Sequence, residues 1–238
     1  MAVGRERLVV EGLDLLPDRP GVILASNHLS FADPVLLAMV VHRTLGRRVR
    51  HMAKAEAVAI PVFGALLRDY GGFAVRRGRP DREAYRMANE VLAGGDWLGL
   101  APEGTRSRTG MLGEPKPGVA LLALRSGAEV VPVALWGTEA LWPVGVLLPR
   151  PGKEVHIQFG APYRMADQVV DGGGRHETAA DVHRSTDDRH ETSGDGHETQ
   201  GVRQAPTGGR HAALDAASDD LMRRIADLLP ETYRGRFR

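Results

Sequence analysis

His28 and Asp33 stand five residues apart in the stretch NHLSFADP (27–34), between an apolar run and a segment with helical periodicity. An aspartate hydrogen-bonded to one imidazole nitrogen fixes the tautomer and stabilises the imidazolium. The other nitrogen is then free to take a proton from a hydroxyl. A turn of this length can bring the carboxylate back onto the ring. The plainer alternative is that Asp33 caps a helix and His28 is an ordinary turn residue. Ser30 lies close by, but a serine nucleophile needs an elbow of the Gly-x-Ser-x-Gly kind, which is absent here.

Two further groups carry chemistry. In APEGTRSRTG (101–110), Glu103 can accept a hydrogen bond from a hydroxyl, and Arg106 offers the planar donor fork that suits a phosphate. In GGFAVRRGR (71–79), two glycines lead into a run that finishes on Arg76 and Arg77. Singly, these read equally well as a polar loop and a solvated basic strand end. Combined with His28, they place one base and several guanidinium groups at strand ends of one sheet. That suits an anionic substrate carrying a reacting hydroxyl. The chain has no cysteine, which excludes a disulfide framework, a thiol nucleophile and cysteine–zinc sites, and is consistent with a reducing compartment.

The scaffold that must hold these residues is legible as alternating strands and helices. GVILAS (21–26) is a short apolar run, as a buried strand requires. ADPVLLAMVVHRTLG reads as a helix with Asp33 as its cap, Pro34 in its first turn and Gly46 as its stop. RVRHMAK (48–54) is a second strand, AVAIPVFGALLRDYG a helix with a proline in its first half, and GFAVRR (72–77) a third strand. DREAYRMANEVLAGG lines up Ala84, Met87, Ala88, Val91 and Leu92 on one helical face. WLGLAPEG, PGVALLALRSG, EVVPVALWG and KEVHIQFG (153–160) follow as strand, helix, strand and an alternating strand. The pattern predicts a single α/β domain with an open, mostly parallel or mixed sheet and helices on both faces. In such sheets ligands bind at the carboxyl ends of the strands, which is where the three motifs lie.

A net charge of +1 over 238 residues carries no global bias toward nucleic acid. The first twenty residues have apolar pieces too short and too broken by charge for a signal peptide. No window offers the roughly 20 apolar residues of a spanning helix. Val130–Pro149 comes nearest and is interrupted by Pro132, Glu139 and Pro143. A soluble or surface-bound protein is expected. Residues 1–170 read as the core. Residues 171–209 carry a seven-residue repeat with histidines at 176, 183, 190 and 197 and almost no apolar residue. No two repeat positions are consistently apolar, so a coiled coil is excluded and disorder is expected, with a histidine-rich metal tract as the alternative. Residues 210–238 recover an amphipathic helix with Leu214, Leu221, Ile225 and Leu228 on a face, expected to pack back on the core.

The motifs together resemble a known family. Asn-His-x4-Asp at Asn27–Asp33, Gly-x5-Arg at Gly71–Arg77, Glu-Gly-Thr-Arg at Glu103–Arg106 and Val-Pro-Val at Val131–Val133 occur in order and at similar spacing. They resemble the four signature blocks of the 1-acylglycerol-3-phosphate acyltransferases and their glycerolipid acyltransferase relatives. The resemblance runs from about Gly21 to Pro162, and PETYRGRF (230–237) is similar to how bacterial members end.

That resemblance implies a fold of the glycerol-3-phosphate acyltransferase kind. It implies transfer of a fatty acyl group from acyl-CoA or acyl carrier protein to the free hydroxyl of lysophosphatidic acid, giving phosphatidic acid for phospholipid biosynthesis. His28 would be the general base and Asp33 its orienting partner. Glu103, Gly104 and Thr105 would lie against the acceptor, with Arg77 and Arg106 on its phosphate and Arg76 able to share that work. Lys54 and Lys116 would add positive charge. Pro132 would shape the acyl-donor side, or else serve the strand alone. No cofactor or metal is implied beyond the thioester substrate. The implied partners are that donor, a lysophospholipid acceptor and a membrane surface, with a cytoplasmic location on the inner face of the cell membrane. The loop at 140–153 has Trp142, aliphatics, Arg150 and Lys153, the composition of an interfacial contact; alternatively it lines an acyl tunnel or fills core space.

Two departures stand out. Arg76 occupies a position that is acidic in many relatives, and their N-terminal apolar anchor helices have no counterpart here. Another lysophospholipid or glycolipid acceptor, a thioesterase, and a non-catalytic lipid-binding protein remain as alternatives.

Overall fold

The computed structural model describes residues 2–3, 6–54, 64–65, 69, 72–75, 82–143, 145–146, 148–150, 152–165 and 207–238. Its strands are β1 (Ala2–Val3), β2 (Glu6–Glu11), β3 (Ile23–Ser26), β4 (Val49–Lys54), β5 (Phe73–Val75), β6 (Trp97–Leu100), β7 (Val130–Trp136) and β8 (Glu154–Phe159). They form one sheet in the order β1-β2-β8-β7-β3-β6-β4-β5. From β7 to β5 all neighbours are parallel, while β8 lies antiparallel to β7 and carries β2 parallel beside it. The mixed sheet agrees with the expected fold class.

The described helices are α1 (Ala32–Leu45), α2 (Arg82–Ala93), α3 (Gly118–Ser126), α4 (Thr138–Leu141) and α5 (Thr207–Leu228). Strand periodicity divides the core between two faces. Leu24 of β3 and Val131, Val133 and Leu135 of β7 point to the α1 side, with Leu37, Val41 and Leu141. Ile23, Ala25, Val130 and Ala134 point to the other side, with Val91 of α2, Leu122 of α3 and Leu221, Met222 and Ile225 of α5. The helices therefore cover both faces. This double cover explains why β3 and β7 are apolar at almost every position instead of alternating.

Several expectations need correction. The helix after His28 begins at Ala32, so Asp33 sits inside its first turn and is not its cap; no side chain caps the preceding Phe31 position. Gly46 does end that helix, in a left-handed conformation with φ 66°. The final helix begins at Thr207, earlier than expected. β1 and β2 were not anticipated. Leu8, Val9 and Val10 make only a three-residue apolar run between charges, too short to stand out, yet β2 pairs with β8 along its length. The chain leaves β2 at Gly12, whose φ of 73° and close approach to the Phe159 carbonyl leave no room for a side chain. Of the expected strand at 72–77, residues 73–75 are strand. Most of the helix expected at 57–71, residues 76–77 and the repeat up to residue 206 lie outside the described residues. Among the described residues no helix is long and apolar enough to cross a membrane.

Candidate active site

The site forms where β3 ends and α1 begins. Buried Asn27 anchors the turn to the neighbouring strand: Nδ2 donates to the Leu135 carbonyl at 2.7 Å, and Oδ1 accepts from the Leu135 amide at 2.8 Å. The next residue, His28, is thereby held at the carboxyl edge of the sheet. Its Nδ1 lies 2.8 Å from Asp33 Oδ2, and its side chain remains 25% exposed. The same carboxylate oxygen accepts the backbone amides of Leu29 at 2.6 Å and Ser30 at 2.7 Å. Asp33 thus folds the turn and orients the ring with one oxygen.

Ser30 is not a nucleophile in this arrangement. It is fully buried, its Oγ donates to the Trp142 carbonyl at 2.7 Å, and the same oxygen accepts the Ala32 amide at 3.1 Å. The cap-like duty expected of Asp33 falls partly to Ser30.

The loop after β6 closes around the backbone of His28. Glu103 is only 4% exposed; its Oε1 accepts the His28 amide at 3.2 Å and its Oε2 accepts the Gly113 amide at 2.9 Å. Ser107 donates its amide to the His28 carbonyl at 2.8 Å. Both peptide groups flanking the His28 side chain are therefore fixed by one loop. Burial pushes the Glu103 carboxyl above its ordinary range, while the Gly113 and His28 amides pull it back down. Glu103 was expected to face the acceptor; instead its oxygens face inward, to the backbone.

Arg106 lies in the same loop, its guanidinium carbon 3.8 Å from the centroid of the Phe31 ring. Its Nη1 is buried and has no hydrogen-bond partner among the described residues, and the same holds for Asp33 Oδ1. Partial burial lowers the Arg106 pKa from its ordinary value, and the Asp33 charge opposes that shift.

The other expected residues fall into three groups. Gly104, at φ 66°, is exposed at the loop tip with Thr105, and the exposed Lys116 side chain lies over it; a Cβ on Gly104 would come within 3.2 Å of Lys116 Nζ. Pro132 sits in β7 at the end of its ladder with β8. Its carbonyl accepts the Gly160 amide at 2.8 Å, and a Cβ on Gly160 would stand 2.9 Å from its ring. That is the position where a strand tolerates a missing N–H. Lys54 ends β4, whereas Arg76 and Arg77 lie outside the described residues.

Sequence reasoning passed over Ser107, Gly113, Phe31 and His51. His51 lies on β4 opposite Gly99 of β6, only 8% exposed, its ring filling the space that any Gly99 side chain would need. Burial first, and then the neighbouring His28 charge, push its pKa down to about 3. Trp142 also departs from the interfacial reading. It is 4% exposed, meets Phe31 edge-on at 6.1 Å between ring centroids, and donates its indole N–H to the Val146 carbonyl. Of the two readings of its loop, core filling holds for Trp142.

The chain is similar to several known proteins. A 1-acyl-sn-glycerol-3-phosphate acyltransferase LPAT1 of Arabidopsis thaliana, described as chloroplastic, is 34% identical over 143 residues, covering 58% of this chain and 38% of its own. The 1-acyl-sn-glycerol-3-phosphate acyltransferase of Pseudomonas aeruginosa is 30% identical over 149 residues, covering 61% of this chain and 55% of its own. The crystal structure of the 1-acyl-sn-glycerophosphate acyltransferase PlsC from Thermotoga maritima superposes with a TM-score of 0.53 at 30% identity, covering 66% of this chain and 61% of that one. The chain thus spans less than two thirds of the length of each of these relatives. Residues 7–136, from β2 to the end of β7 and including His28, Asp33, Glu103 and Arg106, match the Acyltransferase family, and the chain belongs to that family.

Proposed function

We propose that the protein transfers a fatty acyl group from a thioester, coenzyme A or acyl carrier protein, to the free hydroxyl of lysophosphatidic acid. The observation that carries this reading is the 2.8 Å contact between His28 Nδ1 and Asp33 Oδ2 on a partly exposed ring. With Nδ1 committed to Asp33, Nε2 serves as the base. It takes the acceptor's hydroxyl proton as that oxygen attacks the thioester carbonyl carbon. The tetrahedral oxyanion collapses, the C–S bond breaks, and the thiolate leaves with the proton returned from His28. No acyl-enzyme and no metal enter these steps. General-base assistance of this kind contributes roughly 10² to 10⁴ in rate.

The Arg106 guanidinium, half-buried in the loop beside the His28 turn and with no partner for Nη1 among the described residues, supports a phosphate on the acceptor, with Arg77, Arg76, Lys54 and Lys116 as further cations. Glu103 contributes by holding the His28 backbone. The names of the relatives support lysophosphatidic acid as the acceptor. Both substrates are amphiphiles, so we place the protein peripherally at the inner face of the cell membrane, with exposed Leu148 near Arg150 and Lys153 as the contact.

The test is thiol release from palmitoyl-CoA with and without lysophosphatidic acid, in wild type and His28→Ala. Release that requires the acceptor and disappears in the variant is expected. Equal release without acceptor would instead mark a thioesterase. Release with other lysolipids only would move the acceptor.

A further inference from the structure

We infer that Tyr233 is a positioning residue that braces the His28 turn from two sides, through the loop after β6 and through α4. This deepens the transfer reading and rests on it for the activity readout. Tyr233 lies in a single helical turn (Glu231–Tyr233) that follows α5. Its carbonyl accepts the Leu112 amide at 2.8 Å. The adjacent amide, that of Gly113, is the one held by Glu103, and Glu103 in turn holds the amide of His28. On its other side, the Tyr233 hydroxyl donates to Glu139 Oε1 at 2.8 Å. Glu139 belongs to α4, which runs directly into Trp142, and the Trp142 carbonyl receives the Ser30 hydroxyl.

The two supports of the turn, Glu103 at the His28 amide and Trp142 at the Ser30 hydroxyl, therefore meet at one residue, the first through the Tyr233 carbonyl and the second through its hydroxyl, and Tyr233 bonds neither His28 nor Asp33 among the described residues. The approach is close. Gly235, two residues on, has φ 58°, and a Cβ there would stand 2.6 Å from the Leu112 carbonyl. Leu112 itself is buried, and Tyr233 and Phe237 pack against its cluster. Burial and the Glu139 contact push the phenol up to about 12, so the hydroxyl stays a donor across the working range of an assay. A loosened brace shifts both His28 and the loop bearing Arg106, and small displacements of a base cost rate steeply.

The decisive comparison is Tyr233→Phe, which removes one hydroxyl and little volume, beside Glu139→Gln, which keeps an acceptor oxygen. Turnover with palmitoyl-CoA and lysophosphatidic acid is measured together with hydrogen–deuterium exchange over residues 24–34 and 107–116 of the full chain. In Tyr233→Phe, kcat is expected to fall about fivefold, the size of one lost hydrogen bond. The fall is independent of pH, and exchange rises in the 24–34 peptide, which the hydroxyl supports through Glu139 and α4, while the 107–116 peptide keeps its bond to the residue 233 carbonyl and changes less. Glu139→Gln stays within about twofold of wild type. A lower melting temperature with unchanged kcat and unchanged exchange overturns the brace and leaves Tyr233 a packing residue. A fall in kcat without faster exchange overturns it too, as does faster exchange without a fall in kcat. If wild type shows no transfer, the functional reading fails separately, and the exchange measurement alone decides whether Tyr233 holds the turn.

Discussion

Glu103 accepts the backbone amide of His28 across 75 residues of sequence, using one carboxylate oxygen for His28 and the other for Gly113. A buried carboxyl with both oxygens on backbone amides is a support for the turn, and its removal is felt in folding first. Glu103→Gln puts an amine where one oxygen was and strands one of the two N–H donors, which costs about 1–3 kcal/mol. The pH dependence has a definite sign. Burial raises the folded carboxyl above its ordinary value of 4.5, so the native state binds more protons than the unfolded chain once pH exceeds that value. The contribution of Glu103 is complete below 4.5 and declines as pH rises through the folded value. Urea unfolding of wild type and Glu103→Gln at pH 4 and pH 7 should therefore show a larger gap at pH 4. A gap that widens toward pH 7 would mean the two amides outweigh burial.

Asp33 has two duties that can be separated. Oδ2 receives His28, Leu29 and Ser30, whereas Oδ1 has no partner among the described residues. Asp33→Asn keeps an oxygen for the three donors and places its amine at the open position, so the variant should fold normally. It loses the charge that stabilises the imidazolium, and thiol release should fall by roughly 10² to 10⁴, as in His28→Ala. Asp33→Ala strands three donors and should cost about 3 kcal/mol or more of stability as well. If Asp33→Asn retains full activity in a folded protein, Asp33 only shapes the turn.

Much of this was legible before any coordinates. Gly21–Ser26 read as a buried strand and EVVPVALWG (129–137) as a strand, and both are apolar at nearly every position, as a doubly covered strand requires. The five-residue spacing of His28 and Asp33 allowed their contact without deciding between it and a helix cap beside an ordinary turn residue. Three features were beyond local reading, each for a physical reason. Asp33 was expected to cap the helix because an aspartate before a proline fits that role, and nothing local shows that Ser30 takes the Ala32 amide instead. Glu103 turns inward because its partners, His28 and Gly113, come from separate segments. Trp142 has the composition of an interfacial anchor, and only packing against Phe31 tells a buried indole from an exposed one.

His51 and Gly99 are a matched pair on β4 and β6. Gly99→Ala drives a methyl into the imidazole and should destabilise by about 1–3 kcal/mol, while His51→Ala in the same chain should restore part of that loss. The pair also carries an acid sensitivity. The folded imidazole, held down to about 3 by burial and by His28, refuses a proton that the unfolded chain accepts below about 6.5. Stability is thus lost as pH falls from 6.5 toward 3, by at most about 1.4 kcal/mol per pH unit. Thermal melts of wild type and His51→Phe across that window should converge or cross on acidification. Parallel curves would show that His51 is protonated in the folded state.

Leu148 and Trp142 divide the labour of one loop. Trp142 is buried between Phe31 and the Ser30 hydroxyl, while Leu148 is 59% exposed beyond α4. Trp142→Ala should therefore cost about 3–5 kcal/mol in chemical unfolding, the usual loss for a buried aromatic. Leu148→Asp should leave unfolding within about 0.5 kcal/mol, since most of its side chain already lies in solvent. Membrane attachment follows the opposite order. In co-sedimentation with liposomes containing anionic lipid, Leu148→Asp should bind more weakly than wild type, because it withdraws an apolar side chain from the interface and adds a negative charge. A reduction of comparable size is expected when Arg150 is replaced by glutamate. Undiminished sedimentation of both variants would remove this loop as the contact and direct attention to the exposed cations around Arg106.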